Sequence, residues 1–137
     1  MVYVFDSSFV CTLILPDEKN PIVDRIQDSI GEDEEIFVPQ LLWYEVANVF
    51  KNLIRRKRYT FDDAMRFFPL LAAIRLTSDF ATEVAYSETL LRLCDNYNLS
   101  SYDAAYLELA ARKKAVLCTL DENLRNAAEK HHVVTLK

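Results

Sequence analysis

Val2-Tyr3-Val4-Phe5-Asp6-Ser7-Ser8, residues 2–8, is the stretch whose reading decides the fold. It is a β-favouring apolar run that ends on an aspartate and two hydroxyls, and it reads as a buried strand carrying one carboxylate at its carboxyl end. In open α/β sheets that end, where strand gives way to helix, is where ligands and chemistry collect. The rest of the chain either sends further carboxylates there or leaves Asp6 a simple helix cap.

Moving outward, Ser7 to Leu15 predicts a short buried helix stopped by Pro16, and Pro21 opens a second helix that ends at Gly31. Ile36-Phe37-Val38 predicts a second strand. Pro39 marks the start of a long helix through Arg58, with Leu42, Val46, Val49 and Leu53 as its core stripe and Glu45, Asn48, Asn52 and Arg56 as a polar seam beside it. Thr60 and Asp63 have capping-box spacing before a helix bearing Phe67, Phe68, Leu70 and Leu71, kinked or stopped at Pro69. Ile74-Arg75-Leu76 is expected as a third strand, followed by a helix capped by Ser78 or Asp79 and running to Tyr97.

Ser100 to Arg112 is apolar on nearly every side, Tyr102 included, and predicts a buried helix. Ala115 to Leu120 is expected as a buried strand ending on Asp121. Glu122 to Lys130 forms the last helix and Val133-Val134-Thr135 the last strand. Alternating strands and helices predict an α/β protein, with a mostly parallel sheet of four to five short strands flanked by helices.

Half of the 137 residues are hydrophobic, which suits one domain spanning 1–137 with a real core. One glycine and four prolines leave little for linkers. A net charge of −5 excludes a protein that coats nucleic acid with its whole surface. Cys11, Cys94 and Cys118 stand among apolar neighbours, too far apart for a zinc motif, and read as reduced, buried thiols. With no basic-then-apolar leader and no apolar run long enough for a bilayer, the expectation is a cytoplasmic protein without membrane attachment.

Four acids fall where strands end or a helix face meets the core: Asp6, Glu45, Asp103 and Asp121. Asp6 and Asp121 also suit caps, Asp103 completes a capping box with Ser100, and Glu45 lies mid-helix without a cap to make. A parallel sheet gathers Asp6, Asp121 and the helix start bearing Asp103 along one edge. Clustered carboxylates persist at neutral pH when a hard divalent cation neutralises them, and oxygen-only ligands point to magnesium or manganese. Ser7 and Thr119 are candidates for orienting these ligands. Arg55, Arg56, Lys57 and Arg58 concentrate positive charge that could hold a nucleic-acid backbone. His131 and His132 lie away from the junctions and are given no role.

Val4-Phe5-Asp6-Ser7-Ser8, Trp43 to Val49, Ser101 to Tyr106 and Thr119 to Leu124 together resemble the PIN-domain nucleases, most of all the VapC-type toxin ribonucleases. The resemblance covers nearly the whole chain. It implies a PIN-like three-layer fold and a Mg2+- or Mn2+-dependent endoribonuclease that hydrolyses RNA phosphodiesters. It implies Asp6, Glu45, Asp103 and Asp121 as metal-binding and catalytic acids, supported by Thr119, with Asn48 matching a frequent family asparagine and Asn123 a further accessory ligand. It also implies homodimerisation and inhibition by a cognate antitoxin. The Phe67, Phe68 and Leu71 face is expected to contribute to the dimer. A receiver domain would need a second acid beside Asp6, and a haloacid-dehalogenase phosphatase an aspartate where Ser8 stands. The alternative from another class is a PIN-like domain acting in RNA binding or assembly without cutting.

Overall fold

The structure is a computed structural model and describes residues 1–136. Five strands form one parallel sheet: β1 (Val2–Phe5), β2 (Glu35–Pro39), β3 (Leu76–Asp79), β4 (Val116–Cys118) and β5 (Thr135–Leu136), in the order β3-β2-β1-β4-β5. Helices α1 (Ser7–Ile14), α2 (Pro21–Ser29), α3 (Leu41–Arg55), α4 (Phe61–Met65) and α5 (Phe68–Ala73) connect β1 through β2 to β3. The helices α6 (Glu83–Tyr97), α7 (Ser101–Lys113) and α8 (Glu122–Lys130) serve the return through β4 to β5. Because parallel crossovers are right-handed, leftward and rightward connections cover opposite faces of the sheet. The change of direction falls between β1 and β4, the crevice where open α/β sheets bind ligands.

β1 is central and apolar throughout, with Val4 and Phe5 fully buried, and α7 packs across β1, β2 and β4 through Ala104, Leu107 and Ala110. Tyr102, in the first turn of α7 and expected inside, stands 61% exposed. Glu108 on α7 is buried but has a cation: Arg112 donates to it (2.6 Å) and to Asp79 (2.6 Å), tying α7 to β3. Burial pushes the Cys11 and Cys118 thiols up to about 12, so both stay protonated and inert at neutral pH. Among the described residues, no helix is long and apolar enough to cross a membrane.

Several expected boundaries move, each for a tertiary reason. Pro39 closes β2 rather than opening α3, and α3 stops at Arg55, where Lys57 takes a left-handed conformation (φ 60°). Phe50 replaces Val49 in the buried stripe because the Phe67 and Phe68 rings, 5.7 and 5.1 Å away, pack on it. The single helix expected after Thr60 is two: the capping box closes on α4, and Pro69 sits in the first turn of α5.

β3 comprises Leu76–Asp79, paired with Ile36–Pro39, so Ser78 and Asp79 belong to the strand and Thr82 is the N-terminal cap of α6. β5 begins two residues later than expected, although Leu117 N–H already donates to the Val134 carbonyl (2.8 Å). Phe67 and Leu71 are buried in the chain's own core, which leaves only Phe68 of the expected dimer face partly exposed.

Candidate active site

Asp6 stands one residue beyond β1, and its N–H donates to the Cys118 carbonyl (3.2 Å), which extends the β1–β4 ladder by one bond. It both caps and sits in a site. Its Oδ1 accepts from the Phe9 N–H (2.9 Å) at the start of α1 and from the Ser8 hydroxyl (2.7 Å). Its Oδ2 accepts from the Thr119 hydroxyl. With Asp6 only 4% exposed, burial pushes its carboxyl above the ordinary range and the Asp103 charge adds to this, while the three donors pull it back.

Thr119, 1% exposed, holds the strand ends together: its hydroxyl donates to Asp6 and accepts from the Asp121 N–H (3.0 Å). Ser8 does the same from the other side, donating to Asp6 and accepting from the Leu120 N–H (3.1 Å). Arg125 backs the turn, donating from Nη2 to the Thr119 carbonyl (2.8 Å). Thr119→Val should cost about 1–3 kcal/mol at neutral pH, because a buried carboxylate loses a donor. Thr119→Ser keeps the hydroxyl and should retain most of that stability. Equal melting temperatures for the two variants would show that this bond contributes nothing.

The other three acids arrive from three further elements. Glu45, in the second turn of α3, accepts from the Tyr106 hydroxyl (2.5 Å) on α7. Burial raises its pKa, and the charges of Asp6 and Asp103 raise it further against the Tyr106 bond. Asp103 lies in the first turn of α7, where the helix dipole favours a negative charge. Burial and the Asp121 charge nevertheless raise its pKa. Only half of the expected capping box forms there: the Asp103 N–H donates to Ser100 Oγ (3.1 Å). Asp121 caps α8 through Leu124 N–H (2.9 Å) and is exposed.

The four carboxylates therefore share one field, Asp6 with Glu45 and Asp103, Asp103 with Glu45 and Asp121. Among the described residues none of the four has a basic partner, in contrast to Glu108 and Asp79, which have Arg112. Carboxylates without a basic partner, with oxygen donors only, fit a hard divalent cation. Among the described residues no three acidic, histidine or cysteine side chains already converge as ligands of a single ion. Magnesium is compatible with such an open arrangement, because it retains waters that bridge to carboxylates.

A cavity of 520 Å3 beside Glu45 is lined by Ser7, Tyr44, Asn48, Asn52 and Tyr102, so the polar seam of α3 is one of its walls. Asn123 lines a separate cavity with Asp95, Asn98 and Lys130. The basic run is also apart: Arg55 is ten residues along α3 from Glu45, about 15 Å. Arg58 pairs with Asp17 and Glu18 rather than standing free. Tyr106 was invisible as a site residue in the sequence because its partner lies 61 positions away, and Ser8, although it bonds Asp6 two positions back, shows its second bond, to Leu120 112 positions on, only once β1 and β4 pair.

Raised carboxyl pKa values have a stability consequence. Such a group holds its proton more tightly in the folded chain, so its contribution is fully present below the unfolded pKa and is lost as pH rises through the folded one. Without metal, Asp103→Asn should therefore melt a few degrees above wild type at pH 7. The gap should close as the pH falls to the ordinary aspartate value of 3.8. Identical melting curves at pH 7 would show that the cluster carries no repulsion.

Residues 3–130 match the PIN domain family. Ribonuclease VapC3 of Pyrobaculum aerophilum is 29% identical over 131 residues, covering 90% of this chain and 92% of its own. The crystal structure of PAE2754 from the same organism superposes with a TM-score of 0.74 at 21% identity, over 98% of this chain and 83% of that one. VapBC2 of Rickettsia felis, solved bound to a DNA fragment from its promoter, superposes with a TM-score of 0.71 at 12% identity, over 98% and 97% of the two chains. With nearly its whole length matched, and its acids at the crevice between β1 and β4, the chain belongs to the PIN domain family.

Proposed function

We propose that this protein is a VapC-type ribonuclease that hydrolyses RNA phosphodiester bonds with Mg2+ or Mn2+, as the toxin of a toxin-antitoxin pair. The observation that carries the reading is four carboxylates from four elements sharing one field with no basic partner among the described residues. Asp6, Glu45, Asp103 and Asp121 would hold the ion. When bound, a divalent cation lowers the pKa of water, orients the phosphodiester and stabilises the leaving oxygen.

The chain's own residues supply the rest. Thr119, Ser8 and the Phe9 N–H fix the Asp6 carboxylate by donating to both of its oxygens, so its orientation is set before substrate arrives. Tyr106 occupies Glu45 Oε1, which leaves Oε2 free of Tyr106. That second oxygen would be available to the ion or to a proton from the attacking water, a role its place beside Asp6 and Asp103 supports. Ser7, Asn48 and Asn52 offer neutral hydrogen-bonding groups to the RNA along the cavity wall, where further negative charge would repel it.

The neighbours solved as VapBC complexes support a cognate antitoxin for this chain, and the toxin reading carries a homodimer with it as a further expectation. Purified protein should cut RNA in millimolar Mg2+ and stop on addition of EDTA. Cutting that EDTA leaves unchanged would refute the metal-dependent reading.

A further inference from the structure

Tyr106 on α7 is 1% exposed and the bulkiest of the fully buried side chains. Phenylalanine would fill the same space without taking a hydroxyl out of water. That hydroxyl donates to Glu45 Oε1 (2.5 Å), reaching from α7 to α3 one turn beyond Asp103. The bond therefore joins the two helices that carry two of the four acids, and it engages one oxygen of a carboxylate that opens on the cavity shared with Ser7 and Asn48.

The neighbouring acids are engaged in the same way. Asp6 accepts at both oxygens, and Asp121 accepts at Oδ1 from the Leu124 N–H. Among the described residues, Glu45 and Asp121 each keep one oxygen clear of such bonds and Asp6 keeps none. An oxygen that already accepts a proton is the poorer ligand, because the positive end of the donor repels a cation. Calcium takes about six to eight oxygens and often both of one carboxylate, whereas magnesium holds fewer and keeps several waters. On the metal-dependent reading above, we propose that Tyr106 is a positioning residue that sets cation specificity: by holding Glu45 Oε1 it leaves the ion one Glu45 oxygen, which admits Mg2+ and discriminates against Ca2+. Tyr106 is also the donor that can be removed without disturbing a helix start, since the Asp6 and Asp121 bonds cap α1 and α8.

The test follows Mn2+ binding to the full chain through loss of the free-ion electron paramagnetic resonance signal, and then displacement of Mn2+ by Mg2+ or by Ca2+. Wild type should bind Mg2+ at least as tightly as Ca2+. Tyr106→Phe keeps the ring in the core and releases Oε1, so the ratio of the Ca2+ to the Mg2+ dissociation constant should fall at least about tenfold. Adding Tyr106→Phe to Glu45→Gln should change nothing further, because the phenol acts through that carboxylate. A merely structural role would weaken both ions together and leave the ratio in place. A ratio that Tyr106→Phe does not move, a fall that persists in the Glu45→Gln background, or a wild-type preference for Ca2+ overturns the proposal. If wild type binds Mn2+ and cuts RNA with Mg2+ while the ratio stays fixed, only the cation selection fails. A wild-type chain that binds neither Mg2+ nor Mn2+ overturns the metal-dependent reading and the role of Tyr106 with it.

Discussion

Asp6→Asn and Asp103→Asn should each lower RNA cleavage by at least about a hundredfold while leaving the protein folded, the scale of losing one preorganised electrostatic group. Asparagine keeps the shape and an acceptor oxygen, so Asp6→Asn still caps α1 through the Phe9 N–H, and asparagine caps as well as aspartate. The amide facing Thr119 meets a hydroxyl that already accepts from Asp121 N–H and can turn its proton elsewhere. What disappears is charge at the point where burial has made it most expensive. Initial rates on a labelled RNA, with circular dichroism of each variant, separate loss of chemistry from loss of fold. Wild-type rates in both variants would remove these acids from the reaction.

The second large effect concerns metal. Four like charges with no basic partner among the described residues repel one another, so a divalent cation that binds only the folded chain should stabilise it. At tenfold excess over its dissociation constant the gain is about 1.4 kcal/mol. For a chain of this length that is roughly 5 °C in melting temperature. Sodium chloride at matched ionic strength should give much less. A chain carrying Asp6→Asn, Asp103→Asn and Asp121→Asn should melt higher without metal and gain nothing from it. An equal magnesium shift in that variant would place the binding elsewhere on the surface.

Most of what positions the site was legible because it is local. An apolar run ending on an acid identifies β1 and Asp6, and the acid after the buried run of β4 identifies Asp121 in the same way. Ser100 marks the start of α7 and so fixes where Asp103 lies. What escaped depends on contacts distant in sequence. β3 is a half-exposed edge strand whose register comes from pairing with β2, so its own residues barely announce it. Phe50 displaces Val49 from the core through rings that arrive from another helix. Arg58 looked available to RNA until the fold brought Asp17 against it. Thr119 was readable beside Asp121, but its bond to Asp6 spans 113 positions and needs the β1–β4 pairing.

The four acids thus combine features that a merely structural set would not share. Asp6 and Asp121 cap helices, yet the Asp6 carboxyl is raised by burial and lies in the field of a second carboxylate. Glu45 caps nothing and still reaches the same field from α3. Charge is concentrated here at a cost to the empty fold, the usual mark of a functional site.

The most direct measurement runs wild type and Asp103→Asn side by side on one labelled single-stranded RNA, each with millimolar Mg2+ and again with EDTA. Cleavage by wild type with Mg2+ alone, and by neither protein in any other condition, is the predicted result. Equal cutting by the two proteins, or cutting that survives EDTA, would contradict a metal-dependent nuclease centre built on these four acids.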